Sequence, residues 1–361
     1  MKPSISTLDK ILPGSSQYLV PVYQRDYRWE EPQWERFWIS VSDTRLPGKI
    51  RNHFMGFLVF IPATSPAVGG VATYHMVDGQ QRLTTSSIFL AAIRNVARVG
   101  GYAALADEIH NTLLVHPYQK GDQHFRLMLK SADHKNYVAI VQGGPVDDGR
   151  LSQALRYFEK KLRDNTLSLD QLQELRHAVC HRLDFMCATL EQEDVYSIFR
   201  SLNSTGVALD KSDLIRNFVF MHVSPDRQDD FDRNFWRPLE KEFESATGAL
   251  DESRFSSFFR DYLMSFGKYV PPEKTFLQFE ARYEDTSFDP EVLAQDLLTE
   301  AGSYSMFTGQ KSSGDKDVDA SIWRLSLLNS PTTYPLLLLL FRMGHRGQID
   351  SACLARCIDM L

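Results

Sequence analysis

A chain of 361 residues, 43% apolar and 24% charged, has the composition of a folded protein of one elaborated domain or two, and this excludes intrinsic disorder. Its 40 Lys and Arg against 46 Asp and Glu leave a net charge of −6, which excludes a protein that coats DNA by bulk positive charge; a nucleic-acid contact must be local. The longest apolar run, residues 336–341, is far short of the roughly 20 residues of a membrane span, and residues 1–8 lack the apolar core of a secretory signal. A cytoplasmic protein is expected, with Cys180, Cys187, Cys353 and Cys357 as reduced thiols.

The first 100 residues mix strand-like and turn-like pieces. Residues 18–23 and 54–61 are short, apolar and β-prone, a Gly/Pro/Ser/Ala-rich stretch at 62–70 reads as a loop or hairpin tip, and residues 72–77 read as a third strand. Asp78-Gly79 closes that strand with a turn. From Thr84 through Ile88, Leu90, Ile93 and Val96 the apolar spacing is helical and ends at Gly100-Gly101. Beyond residue 101 the pattern predicts helices at 151–162, 169–183, 195–202, 210–222 and 255–266, separated by polar breaks at 142–145 and 309–315. The expected fold is α+β: a small α/β domain over 1–100, then a mainly helical domain over 101–361. Residues 351–361 form an amphipathic pattern with no stop signal, so a further domain is expected to follow.

Three constellations carry chemistry. In Pro21-Val22-Tyr23-Gln24-Arg25-Asp26-Tyr27-Arg28-Trp29 the arginines suit phosphate and the aromatics suit stacking on bases; a strand edge whose aromatics fill the core accounts for the same residues. In Asp78-Gly79-Gln80-Gln81-Arg82 the glycine permits a positive φ and the amides can bond a base, sugar or water. Arg82 can fork onto phosphate, and Asp78 can hold Mg2+. This block sits at a strand-to-helix turn, where backbone N–H groups favour an anion, although Thr84 and Thr85 after such a turn also simply start a helix. The third block, residues 199–217, places Asn203-Ser204-Thr205-Gly206 between two helices, with Asp210 and Asp213 at the start of the second.

Other patterns are weaker. His177 and His181 lie one helical turn apart beside Cys180 without a further ligand pair, and His53 and His75 are isolated. No Walker A loop, G-x-S-x-G elbow or H-E-x-x-H helix is present.

The order of Pro21-x-Tyr23-Gln24-Arg25-x-Tyr27-x-Trp29, Phe54-Met55-Gly56, Val77-Asp78-Gly79-Gln80-Gln81-Arg82-Leu83-Thr84-Thr85 and Phe199-x-x-Leu202-Asn203-x-x-Gly206-x-x-Leu209-x-x-x-Asp213-Leu214-Ile215 resembles the N-terminal domain family of GmrSD-type restriction enzymes. The first part of that family is similar to the ParB/sulfiredoxin fold. The resemblance implies a nucleoside triphosphate and Mg2+, with Asp78, Gln80, Gln81 and Arg82 as catalytic residues and Asp78 as the metal ligand. Gly79, Thr84, Thr85, Asn203, Ser204 and Thr205 would bind the nucleotide, and Tyr23, Gln24, Arg25, Arg28 and Trp29 would contact modified or phage DNA. It also implies a covalently linked C-terminal HNH nuclease domain, whose motif is absent here because Gly344-His345-Arg346 is an isolated histidine. A homo-oligomer is compatible with it. Within the family a phosphorothioate-sensing Ssp-type effector is a candidate relative, Val22-Tyr23 supplying a water-poor pocket for sulfur. A different class of reading is a non-catalytic module switched by nucleotide, whereas peroxide reduction of the sulfiredoxin kind is disfavoured because no cysteine precedes Cys180.

Overall fold

Six strands form one mixed sheet in a computed structural model that describes residues 2–44, 52–62, 70–130, 133–164, 168–190, 210–224, 227–245, 250–284 and 288–361. They are β1 (Lys2–Ser6), β2 (Ser16–Val20), β3 (His53–Pro62), β4 (Ala72–Asp78), β5 (Leu127–Leu129) and β6 (Leu183–Thr189), in the spatial order β1-β6-β3-β4-β2-β5. The pairs β1/β6 and β3/β4 are antiparallel; β3/β6, β2/β4 and β2/β5 are parallel. The three strands legible as apolar runs are β2, β3 and β4. β6 carries no expectation from the sequence beyond its first residue, Leu183, with which the helix read at 169–183 ends; the helix stops at His181 and the chain turns extended at once.

The helices of this part are α1 (Leu8–Ile11), α2 (Glu31–Asp43), α3 (Gln80–Val99), α4 (Ala103–Ile109), α5 (His134–Gln142), α6 (Arg150–Asp164) and α7 (Leu169–His181). α3 is the central one. Ile88, Phe89, Leu90, Ala91, Ala92 and Ile93 are six consecutive residues with no exposed surface, so this helix is apolar on every side and enclosed rather than amphipathic. It begins at Gln80, one turn before the start at Thr84 that the apolar spacing suggests, because polar Gln80, Gln81 and Arg82 hide the first turn from a periodicity reading. Arg94 is buried within it and donates to the Ile140 carbonyl at 2.8 Å and to the Val141 carbonyl. It thereby caps the C-terminal end of α5, and burial pulls its pKa down to about 10.

The chain divides into two compact units, Met1–Gly206 and Val207–Leu361. The boundary expected at residue 100 does not coincide with this division: β5, β6 and α4 to α7 all lie beyond it in the first unit, α4, α6 and α7 packing on α3. The second unit is helical, with α8 (Lys211–Met221), α9 (Glu252–Met264), α10 (Thr275–Tyr283), α11 (Pro290–Phe307), α12 (Lys316–Ser326), α13 (Tyr334–His345) and α14 (Ser351–Asp359). Its core is aromatic, built on Phe243, Phe255, Phe258, Phe259, Tyr262 and Tyr304. Arg342 and Glu300 form a buried ion pair there, the Arg342 guanidinium also donating to Ser265 Oγ at 2.8 Å. The helix read at 195–202 lies outside the described residues. No helix among the described residues is long and apolar enough to cross a membrane.

Candidate functional site at the turn between β4 and α3

Two glycines shape this site. Gly79 precedes α3 with φ +92°, and a Cβ built on it would stand 2.4 Å from Leu58 Cδ2 and 2.6 Å from the Phe57 carbonyl. The turn therefore rests directly on the backbone of β3, a fit that only glycine permits. Gly56, φ +104°, sits where β3 slips register against β6, and a Cβ there would lie 3.2 Å from the guanidinium carbon of Arg82. Arg82 lies across this bare backbone, donates to the Phe57 carbonyl and faces the Asp78 carboxylate at 3.9 Å. The Phe54-Met55-Gly56 and Asp78-Gly79-Gln80-Gln81-Arg82 blocks are thus two halves of one arrangement.

The loop that joins β2 to α2 is the third part. Gln24 donates its amide to the Val77 carbonyl at 3.1 Å. Gln80 donates to the Arg25 carbonyl at 3.3 Å, and Gln81 uses both ends of its amide: Nε2 donates to the Asp26 carbonyl at 3.2 Å and Oε1 accepts the Arg28 N–H at 2.8 Å. Tyr27 closes the set. Its hydroxyl bonds Thr85 Oγ1 at 2.7 Å and accepts from Trp34 Nε1 at 2.9 Å, while its N–H donates to the Asp133 carboxylate at 2.6 Å. Both glutamines are 7% exposed and Tyr27 is 4% exposed, so these bonds are wholly or partly shielded from competing water. The buried Gln80 Oε1 has no hydrogen-bond partner among the described residues.

Residues 7–220 match the family model of the GmrSD restriction endonuclease N-terminal domain. The chain belongs to that family. No curated protein matches it. The matched region covers the first unit from residue 7 onward and runs on through most of α8, including the Asp213-Leu214-Ile215 block.

The sequence-predicted residues of this GmrSD N-terminal domain separate into an enclosed set and a presented set. Tyr23, Gln24, Gln80, Gln81, Thr84 and Thr85 are buried. Burial raises the Tyr23 and Tyr27 hydroxyls well above the usual tyrosine range, and their rings are not surfaces on which a base can stack. Arg25, Arg28 and Trp29 are partly exposed, as are Asp78 and Arg82. Asn203, Ser204 and Thr205 lie outside the described residues. The blocks at 21–29 and 78–82, distinct in sequence, are joined here by direct hydrogen bonds. Asp133 was missed: before a helix it reads as an ordinary cap, and nothing in its sequence neighbourhood reports that it holds the Tyr27 N–H. Burial pushes its carboxyl up to about 6.

The weaker candidates have partners of their own. The rings of His177 and His181 stack at 4.5 Å, and His181 Nδ1 lies 3.3 Å from the Asp9 carboxylate. Ser40 Oγ is 3.1 Å from His53 Nε2, and burial lowers the pKa of His75. Among the described residues no three His, Cys, Asp or Glu side chains gather as a metal cluster. Mg2+ does not require one, since it is commonly held by one or two carboxylates together with substrate phosphates and water. Asp78, half-buried beside Arg82 and the N-terminus of a 20-residue helix, fits that mode, and the unmatched Gln80 oxygen fits a ligand that brings a donor.

Proposed function

We propose that this domain binds a nucleoside triphosphate with Mg2+ at the turn between β4 and α3 and hydrolyses it under the control of DNA met by the loop at residues 21–29. The single observation that carries this reading is the junction itself: a helix N-terminus, Arg82 and Asp78 lie at one turn, and the glutamines of that turn hold the backbone of the arginine-bearing loop. Arg82 and the first-turn N–H groups stabilise phosphate charge, which is most of what phosphoryl transfer asks of a protein. Asp78 holds the ion or orients the attacking water, and Thr84, Thr85 and the Asn203-Ser204-Thr205 segment support the nucleotide. Bound Mg2+ supplies neutralisation of the phosphate oxygens. Arg25, Arg28 and Trp29 meet DNA, a phosphorothioate or other chemical mark being the feature read, and cleavage belongs to a linked nuclease domain.

A second reading has its own support. Gln81 has both ends of its amide engaged and Gln80 its donor, which suits a module that nucleotide switches without being consumed. Phosphate release by the purified chain, with triphosphate and Mg2+ and with unmodified or modified DNA, tests both. Turnover that disappears in a folded Gln80→Ala/Arg82→Ala variant supports hydrolysis. Binding without product supports the switch, and turnover unchanged in that variant overturns the catalytic assignment.

A further inference from the structure

We infer that Tyr27 is a positioning residue that couples the DNA-facing loop to the first turn of α3, so that a contact made outside by Arg25 and Arg28 resets Gln80 and Gln81 inside. The inference rests on the nucleotide-site reading above and adds the route by which that site is regulated.

The direction of every bond in the route follows from donor counting. Trp34 Nε1 is a donor and nothing else, so it gives its hydrogen to the Tyr27 oxygen. Thr85 directs its single hydroxyl hydrogen to the Gln81 carbonyl at 2.7 Å. Thr85 must then accept from Tyr27, at 2.7 Å. The chain of bonds runs one way, from Trp34 through Tyr27 and Thr85 to the main chain of Gln81, and Tyr27 and Thr85 within it are both buried.

The loop is held by its backbone at Arg25, Asp26, Tyr27 and Arg28, while Asp26 is exposed and Arg25 and Arg28 are partly so. In this segment the Tyr27 side chain reaches inward to α3. A shift of the loop therefore moves three points of the helix start together: the Gln80 amide, the Gln81 amide and the Gln81 carbonyl. Packed, hydrogen-bonded elements of this kind pass between discrete arrangements instead of stretching. Coupling follows when DNA and nucleotide prefer different ones. Without the tyrosine hydroxyl the glutamine clips remain, but this bonded route from the loop to the helix main chain is lost.

The test uses the full chain and the Tyr27→Phe variant, which keeps the ring and loses one hydroxyl. Affinity for a fluorescent triphosphate with Mg2+ is measured with and without a short duplex carrying the modification, and affinity for the duplex with and without triphosphate, since a coupling factor must be the same in both directions. In the variant, nucleotide affinity without DNA should stay within about twofold of wild type, while the factor by which DNA changes it falls about fivefold or more, within the usual range of coupling energies. Trp34→Phe, which removes the donor to Tyr27, should weaken the factor in the same direction. An unchanged factor in a folded Tyr27→Phe protein overturns the inference and leaves the nucleotide reading standing. Equal loss of nucleotide binding with and without DNA also overturns it, by showing a merely structural role. Wild-type protein that binds triphosphate but ignores DNA overturns it as well, and wild-type protein that binds no triphosphate overturns the inference together with the function on which it rests.

Discussion

Gly79 and Leu58 touch so closely that a single methyl group at Gly79 would stand 2.4 Å from Leu58 Cδ2. Gly79→Ala therefore combines two costs, the positive φ of +92° forced on a residue with a side chain and overpacking against buried Leu58. Each is typically 1 to 3 kcal/mol, so the substitution should destabilise the first unit by about 3 kcal/mol. The midpoint of urea unfolding followed by tryptophan fluorescence measures this. A loss below about 0.5 kcal/mol, the size of a neutral surface change, would mean that the turn does not rest on β3.

Gln81 is the strongest single clip of the loop, because one amide meets both the Asp26 carbonyl and the Arg28 N–H. Gln81→Leu keeps the bulk and leaves both of those groups unmatched, at a cost of about 2 kcal/mol. Gln81→Glu keeps the acceptor for Arg28 but turns an oxygen toward the Asp26 carbonyl, and should be worse than the size of the change suggests. Amide hydrogen exchange at Arg28 reads this directly: exchange should quicken strongly in the leucine variant. Unaltered protection of that amide would show that the loop is held by something else.

Sequence reasoning found the parts of this site but not their connections, and the reason is physical. A positive-φ turn before a helix leaves a local signature, so Asp78-Gly79 marks the start of α3 to within a turn. Burial of Ile88 to Ile93 on every side also leaves one. The bonds from Gln80 and Gln81 to the loop span 53 to 55 positions, and the bond from Asp133 to Tyr27 spans 106; no local pattern encodes such distances. Polarity is ambiguous for the same reason: Gln24, Gln80 and Gln81 suggest ligands, and each also donates its amide to main chain brought from far away. β6 escaped because its apolar spacing suits a helix as well as a strand, and only its neighbours β1 and β3 decide the matter.

Asp133 gives the first unit a pH dependence. Its carboxyl is raised from 3.8 to about 6, burial first among the causes and the Tyr27 N–H opposing it. Between those values the folded state holds a proton that the unfolded chain has released, so the slope of stability against pH is negative there. This group's contribution is greatest below about pH 4 and is lost as pH rises through about 6, in total about 2 kcal/mol after allowance for its partial exposure. Asp133→Asn retains an oxygen for the Tyr27 N–H and cannot titrate. The difference in stability between wild type and variant should therefore move in favour of the variant from pH 4 to pH 7. Taking the difference cancels Asp261 of the second unit, whose pKa burial also pushes up to about 6. A difference that is flat across this range would show that Asp133 is ionised throughout.

Gly56 and Arg82 offer a test of whether two distant sequence blocks form one site. In Gly56→Ala the new methyl group meets the Arg82 guanidinium at 3.2 Å and the backbone keeps its φ of +104°, so the cost has a steric part owed to Arg82 and a conformational part owed to the chain. Only the first disappears when Arg82 is truncated. In a double-mutant cycle, Gly56→Ala should cost about 2 kcal/mol in the wild-type background and about 1 kcal/mol less in the Arg82→Ala background, a coupling of the size expected for residues in contact. The same cycle read by triphosphate binding separates packing from function. If Arg82 meets phosphate from its seat over Gly56, Gly56→Ala weakens nucleotide binding in the wild-type background and has no further effect once Arg82 is gone. Additive stability costs, with no coupling between the two positions, would place Arg82 away from Gly56 in solution and would remove the geometric basis for joining the two blocks.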